Sequence, residues 1–426
     1  MHNEMMLNPA GLSRPKTRHA IICLGGGTEG LEIIKQVDAS GYTPIVVDVN
    51  GQSPGIQWAH ANSDRAMAWQ ADVYNKNSVT TAIPRILNHT YGVQNIIDGV
   101  LCCAVDAPDS QAVIAEKYHW PTVGVKQAEL AKNKFKQYEY LRDNNIPVPP
   151  TQLADFNTPY NDEYNVVKPL FGRGARGVSR YDESTFGSAK WHAIVEGYPN
   201  KGIILQKWMD GLQLSTESVI FKGGIVFTAV ALRNYNHLDS LYPYVIENGS
   251  DTPFHLSAEL MSNLNKLILR AALRMNWNEA TVKCDIVLDK DVFYIIEMTP
   301  RLSGGYFCSH IIPLCYEFDI VDAAIKFAVG RRRYWSNEYP SRRSVCQRFL
   351  FPRQEWIGKQ IKHLPSPISD ERVGIFTYYR KEGDKITEVK KHSDRLAQCI
   401  TTGTTAKSAR ELCEKIITNI EAKIVV

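Results

Sequence analysis

VKCDIVLDKDVFYIIEMTPRLSGG, residues 282–305, reads as two strands joined by a tight turn. Ile286 and Leu288 alternate into Asp289-Lys290-Asp291, and Val292, Phe293, Ile295 and Ile296 lead back out, the pattern of a β-hairpin. Asp285 lies four residues before that turn and Glu297 six after it, so pairing brings the two carboxylates roughly opposite one another. Two carboxylates at one point of a sheet repel unless a cation sits between them. Magnesium, shared between carboxylates and the phosphate oxygens of a substrate, fits that arrangement. Arg301, just beyond, is a bidentate donor suited to phosphate.

Upstream, NVVKPLFGRGARGVSR (residues 165–180) delivers Lys168 from an apolar strand into a loop with Gly172, Gly174 and Gly177 among Arg173, Arg176 and Ala175. Glycines let backbone N–H groups turn toward phosphate oxygens, and a lysine adds a point charge. The lysine precedes the glycines, so this is not a Walker loop. A third segment, IILQKWMDGLQLSTESVI (residues 203–220), runs from a buried strand through Gln206, Lys207, Trp208 and Met209 to a second strand with Gln213 and Glu217. Trp208 and Met209 can wall a flat purine while neighbouring backbone groups bond its edge. Taken alone, they read as ordinary core residues.

In this order the three segments resemble the ATP-grasp superfamily, over roughly residues 20–330. The similarity is to the branch holding carbamoyl phosphate synthase, biotin carboxylase, purine-pathway enzymes and amino-acid ligases. The resemblance implies a Rossmann-like N-terminal domain, a two-subdomain ATP-grasp fold and a small C-terminal α+β domain. It also implies ATP with Mg2+, or Mn2+ in its place. Residue by residue, Lys134 in KNKFKQYEYLRDNNIPVPP and Lys168 resemble the two ATP-contacting lysines. Gly172, Gly174 and Gly177 resemble the lid. Gln206, Lys207, Trp208 and Met209 resemble the adenine hinge, and Gln213 stands where a ribose-binding glutamate is common. Asp285, Glu297 and Thr299 fall at the metal-ligand positions and Arg301 at the phosphate-stabilising arginine. Lys283 falls where related ligases place another cation. Thr299 replaces the usual asparagine, and Gln206 and Gln213 replace frequent carboxylates; both glutamines still hydrogen-bond adenine or ribose.

The N-terminal AIICLGGGTEGLEIIKQVDASGYTPIVVDVN satisfies G-x-G-x-x-G with Gly25, Gly27 and Gly30, and Asp48 ends the following strand. Taken literally, that is a dinucleotide site. The resemblance implies instead a Rossmann-like domain that binds no NAD and lines the site of the acid or amine substrate.

The chain has 426 residues, 44% hydrophobic, with a formal charge of +4, which suits several domains and gives no electrostatic case for nucleic acid. Arg331-Arg332-Arg333 is the densest basic run and reads as favourable charge at a helix C-terminus. Nine cysteines, including Cys102-Cys103, show no zinc spacing, so reduced buried thiols and a cytoplasmic location are expected. No apolar run approaches the ~20 residues that span a bilayer. Residues 1–18 are expected to be a flexible tail. Residues 19–125 alternate strand and helix patterns, a doubly wound parallel sheet. The ATP-grasp domain is expected over 126–330, with its lid subdomain at about 151–207, opened by one helix over Lys126–Asn144. Asp106 and Asp109 are candidates to bind an amine or cation, helix N-capping being the simpler role. The long loop 234–254 is a candidate to shape an acceptor pocket, as are His392, Asp394 and Arg395 to touch the site. His310 reads as a core or supporting residue. From 331 to 426, RFLFPR, VGIFTYYR and ITEVKKHS read as strands and AKSARELCEKIITNIEAKI as an amphipathic helix.

The function this implies is a carboxylate–amine ligase that makes an amide or dipeptide through an acyl phosphate. It would act on small-molecule substrates, as a homodimer like many relatives. Bicarbonate in place of the organic acid is the nearer alternative. A non-catalytic nucleotide- or NAD-binding protein is the distant one.

Overall fold

The computed structural model describes residues 19–89, 97–155, 158–188, 191–192, 202–331, 335 and 339–426. The expected tail, residues 1–18, and Arg332 and Arg333 of the basic run lie outside them.

Strands β1 (Ala20–Leu24), β2 (Thr43–Asp48), β3 (Met67–Gln70) and β4 (Ile97–Cys102) form a parallel sheet of order β3-β2-β1-β4. Helices α1 (Thr28–Ala39), α2 (Pro54–Ala61), α3 (Lys76–His89) and α4 (Pro108–Lys117) alternate with them. Strands β1 and β2 are buried along their whole length, as a parallel sheet covered on both faces requires. The acid of the dinucleotide reading, Asp48, is engaged by the backbone. Asp48 accepts the N–H of Gly26 at 2.5 Å and of Asn50 at 2.7 Å, so it ties the glycine-rich loop to the end of β2. Two of the three glycines are required by packing: a Cβ on Gly30 would lie 2.7 Å from the Cys103 carbonyl oxygen and one on Gly25 2.3 Å from the Val105 side chain, whereas one on Gly27 would meet nothing within 4 Å.

The expected helix over Lys126–Asn144 is two helices, α5 (Val125–Lys132) and α6 (Lys134–Asp143). Asn133 leaves the helical region at φ −95°, ψ 105°, and its side chain accepts the Lys136 N–H at 3.0 Å, capping a fresh helix. A small antiparallel sheet follows, of order β5-β8-β6-β7, from β5 (Thr151–Ala154), β6 (Val166–Pro169), β7 (Ser179–Arg180) and β8 (Ile203–Gln206).

The largest sheet is antiparallel with eight strands in the order β13-β12-β9-β10-β11-β14-β16-β15. It contains β9 (Leu212–Phe221), β10 (Gly224–Arg233), β11 (Ser250–Thr252), β12 (Ala280–Asp289) and β13 (Val292–Thr299). Strands β14 (Ser344–Leu350), β15 (Val373–Tyr378) and β16 (Ala397–Gly403) extend it without a break. The C-terminal strands therefore add to the sheet that carries the hairpin. ITEVKKHS is not the third of them: Ala397–Gly403 pairs with both β14 and β15, and its residues through Thr402 are buried. Helix α7 (Ala258–Arg274) lays Leu264, Leu267, Ile268 and Ala271 on this sheet, each large side chain contributing about 1.5–3 kcal/mol. Helix α8 (Ile320–Ala328) joins the N-terminal domain to a second core cluster on this sheet, with Ile320, Val321 and Ile325 packed among Ile21, Ile33, Ile34, Val219 and Ala229. It docks so closely that a Cβ on Gly99 of β4 would lie 1.9 Å from the Ala328 carbonyl oxygen. Helix α9 (Ala406–Lys423) covers β14 and β16 as the C-terminal amphipathic pattern predicts. No helix among the described residues is long and apolar enough to cross a membrane.

Candidate active site

The hairpin forms as its pattern predicts. Lys290 and Asp291 take φ of 48° and 63°, the left-handed pair of a two-residue turn, and Asp285 stands opposite Glu297 in register. One row crosses four strands as Ala231, Ser215, Asp285 and Glu297. Small side chains at 231 and 215 leave the carboxylates room. This row floors a cavity of about 680 Å³, roofed by the glycine-rich loop and walled by residues from all parts of the fold.

Lys134, Lys168, Gly172, Gly174, Gln206, Lys207, Trp208, Met209, Gln213, Lys283, Asp285, Glu297 and Arg301 all line it. Gly177 and Thr299 do not. Thr299 stands opposite Lys283, one side-chain row away from Glu297, and is 1% exposed with its hydroxyl unpartnered. Gly177 (φ 72°) shapes the loop from behind.

Several side chains are already committed. Lys134 Nζ donates to the Gly172 carbonyl at 2.9 Å and lies 3.7 Å from Glu297, bridging roof and floor. Lys168 donates to Gln206 Oε1 at 2.5 Å, and Gln206 in turn donates to Thr151 Oγ1 at 2.8 Å. Gln206 therefore orients the lysine rather than presenting a free edge to the cavity. The Gln213 amide donates to the Met209 carbonyl at 3.1 Å, and the Trp208 N–H to Asn165 Oδ1 at 2.6 Å. The roof is held down at its tip. The Arg173 guanidinium lies 3.6 Å from the Tyr74 ring centroid, and the His392 N–H donates to the Gly174 carbonyl at 3.2 Å.

Burial lowers the Lys168 pKa to about 8, with the Lys134 charge adding to the effect. A buried amine held this way gains most from an incoming anion. Burial pushes the Asp285 carboxyl up, but Lys283 at 2.5 Å and Arg233 at 3.3 Å outweigh it and leave it below its ordinary value. Asp285 and Glu297 are the donors that can hold a divalent cation. Among the described residues no group of three or more His, Cys, Asp or Glu side chains is placed to hold one. Such a donor set suits magnesium, which keeps waters and takes phosphate oxygens as further ligands.

Sequence reasoning passed over Arg233 and Glu247. They pair with one another, and Glu247 also takes Arg395 at 3.2 Å and His392 at 3.6 Å. Burial pushes the Glu247 carboxyl up, yet the cations around it hold it well below its ordinary value, and burial drives His392 down to about 3. A charged residue ending the apolar strand β10 was the one local signal for Arg233. Loop 234–254 reaches the cavity through Tyr235, Val245, Glu247, Gly249 and Ser250, and His392 and Arg395 do so from the C-terminal segment. Asp106 pairs with Arg301 at 3.1 Å and Asp109 with Lys132 at 3.0 Å. Neither caps α4, whose N-cap is Ala107. Asp394 caps its own turn by accepting the Lys391 N–H at 3.1 Å. His310 bonds Ser309 and lies outside the cavity lining. Glu217 is fully buried one row from Asp285; it accepts the Ser303 N–H at 2.9 Å and the Ser303 hydroxyl, and burial raises it to about 7.

Residues 131–305 match the ATP-grasp domain family. No curated protein sequence matches the chain. Among solved structures, an L-amino acid ligase from Bacillus licheniformis is 15% identical, with a TM-score of 0.75, covering 95% of this chain and 98% of that one. Phosphoribosylglycinamide synthetase from Anaerococcus prevotii is 17% identical at TM-score 0.70, covering 96% and 100%. The biotin carboxylase domain of Hydrogenobacter thermophilus 2-oxoglutarate carboxylase, solved with MgADP and bicarbonate, is 14% identical at TM-score 0.67, covering 96% and 91%.

Proposed function

We propose, from the premise that residues 131–305 form an ATP-grasp domain, that this protein is an ATP-dependent ligase joining a carboxylate to an amine. The observation that carries the reading is the convergence in one cavity of Lys134 and Lys168 with the opposed pair Asp285 and Glu297 and with Arg301. A carboxylate is a poor electrophile, and transfer of the γ-phosphoryl group from ATP converts it to an acyl phosphate that an amine can attack. Magnesium held by Asp285 and Glu297 would supply neutralisation of phosphate charge at the row facing the lysines.

This chain's own groups supply the rest. Lys168, steered by Gln206, and Lys134, anchored to the loop at Gly172, offset charge on the transferring phosphoryl group. Arg301, oriented by Asp106, joins them in offsetting that phosphoryl charge. The roof, pinned at Tyr74 and His392, keeps water from the acyl phosphate. Trp208 and Met209 flank the base.

The test is phosphate release from Mg-ATP with the purified protein, first with pooled amino acids and small organic acids, then with bicarbonate alone. Release that depends on an acid–amine pool is the expected result. Stimulation by bicarbonate alone would replace the organic acid with carboxyphosphate chemistry, and absence of ATP binding would refute the assignment.

A further inference from the structure

The carboxylates lining the cavity are unequal. Asp106 faces Arg301, Glu247 faces Arg233 and Arg395, Asp285 faces Lys283 and Arg233, and Glu297 faces Lys134. Glu29, in the first turn of α1, has no cationic side chain within 4.0 Å among the described residues. Its one hydrogen bond is from the Gly305 N–H to Oε2, at 2.6 Å. The Ser303-Gly304-Gly305 loop is shaped around it: a Cβ on Gly304 would lie 2.6 Å from the same oxygen. That loop follows directly on Arg301, and Gln347 ties it down by donating to the Gly305 carbonyl at 2.9 Å. Thus a partly desolvated carboxylate opens on the cavity that also holds Arg301, the arginine assigned to the phosphoryl group. The charges facing it are Arg395 and Arg301, with the Tyr306 and Tyr379 hydroxyls near by. Burial raises the Glu29 pKa, and the Gly305 N–H and the two arginines only partly oppose that rise.

An unpaired carboxylate in such a place is completed by a small cation that carries its own protons. We propose that Glu29 receives the ammonium group of the amine substrate and takes the proton that must leave before the nitrogen can attack. This deepens the ligase reading and rests on it. The substrate class that follows is a primary alkylammonium, as in the α-amino group of an amino acid, rather than an amide, a thiol or an uncharged nitrogen nucleophile. In the step, R–NH3+ gives one proton to Glu29. The neutral nitrogen then forms the N–C bond as the carbon–oxygen bond to phosphate breaks and its electron pair leaves with the phosphate. The second nitrogen proton goes to the departing phosphate.

Glu29→Gln separates charge from structure, because the amide oxygen still accepts the Gly305 N–H. Wild type and variant are compared with Mg-ATP and the pooled acids, using two nucleophiles: pooled amino acids, which enter as ammonium, and hydroxylamine, which is largely uncharged at neutral pH. The variant is expected to keep hydroxamate formation within about twofold while amide formation falls about 10²-fold or more at pH 7, the scale of a lost general base. Amide formation by the variant should recover as pH rises and free amine accumulates. Equal losses with both nucleophiles, or no loss with either, would overturn the role of Glu29 and leave the ligase reading intact. A wild-type protein that makes neither product would overturn the ligase reading and this proposal with it.

Discussion

Lys168 offers a quantitative test, because its neutral and charged forms coexist near physiological pH. Burial holds its pKa at about 8, against an ordinary 10.5. At pH 8.5 roughly three-quarters of the free protein would therefore carry a neutral Lys168. Triphosphate oxygens favour the ammonium form and return the pKa toward 10.5 or above, so each nucleotide bound should take up about 0.7 proton. At pH 7 the uptake should be about 0.1 proton. The sign follows from linkage: binding that favours the protonated amine weakens as pH rises through 8, approaching tenfold per pH unit. Calorimetric titration with Mg-ATP in two buffers of different ionisation enthalpy reads this uptake directly. Lys168→Arg supplies the control, since an arginine stays charged throughout. Its uptake at pH 8.5 should be near zero while its binding persists. Uptake at pH 8.5 that is equal in wild type and variant would show that Lys168 does not meet the phosphates.

Glu297→Gln removes one of the two opposed carboxylates; ATP turnover should fall at least about 10²-fold and the magnesium concentration for half-maximal rate should rise, measured by phosphate release across a magnesium series. Glu217 has a pKa raised from 4.5 to about 7, so its contribution to stability is full below pH 4.5 and is lost as pH rises through 7, a swing of roughly 3 kcal/mol at most. Glu217→Gln should flatten that part of the stability–pH curve in denaturant titrations at pH 4.5 and pH 7.5; an unchanged slope would refute the assignment. Gly99→Ala forces a Cβ into the Ala328 carbonyl and should cost about 1–3 kcal/mol, lowering Tm by roughly 3–10 °C in a thermal melt.

The hairpin was legible because its determinants are local. Alternating apolar residues and a two-residue turn pair Asp289 through Ile286 with Val292 through Ile295, and a register shift between Asp285 and Ile286, which the sequence does not display, then sets Asp285 against Glu297. Local pattern likewise displays Lys168 entering its glycine loop, the parallel N-terminal sheet, and the apolar faces of α7 and α9. The break at Asn133 was missed because a helical pattern continues across it, and a single capping bond decides the matter. Tertiary structure alone decided which charges meet. Arg301 and Asp106 are 195 residues apart, and Arg395 and Glu247 are 148 apart. Nothing in the sequence around Glu29 marks it as the cavity carboxylate that, among the described residues, has no cationic side chain within 4.0 Å. The commitment of Gln206 to Lys168 and the burial of Thr299 were equally hidden. Backbone pairing and burial period are fixed by residues a few positions apart, so one sequence displays them. Ion pairs and cavity walls join side chains from separate sheets, and their distances exist only once those sheets have packed.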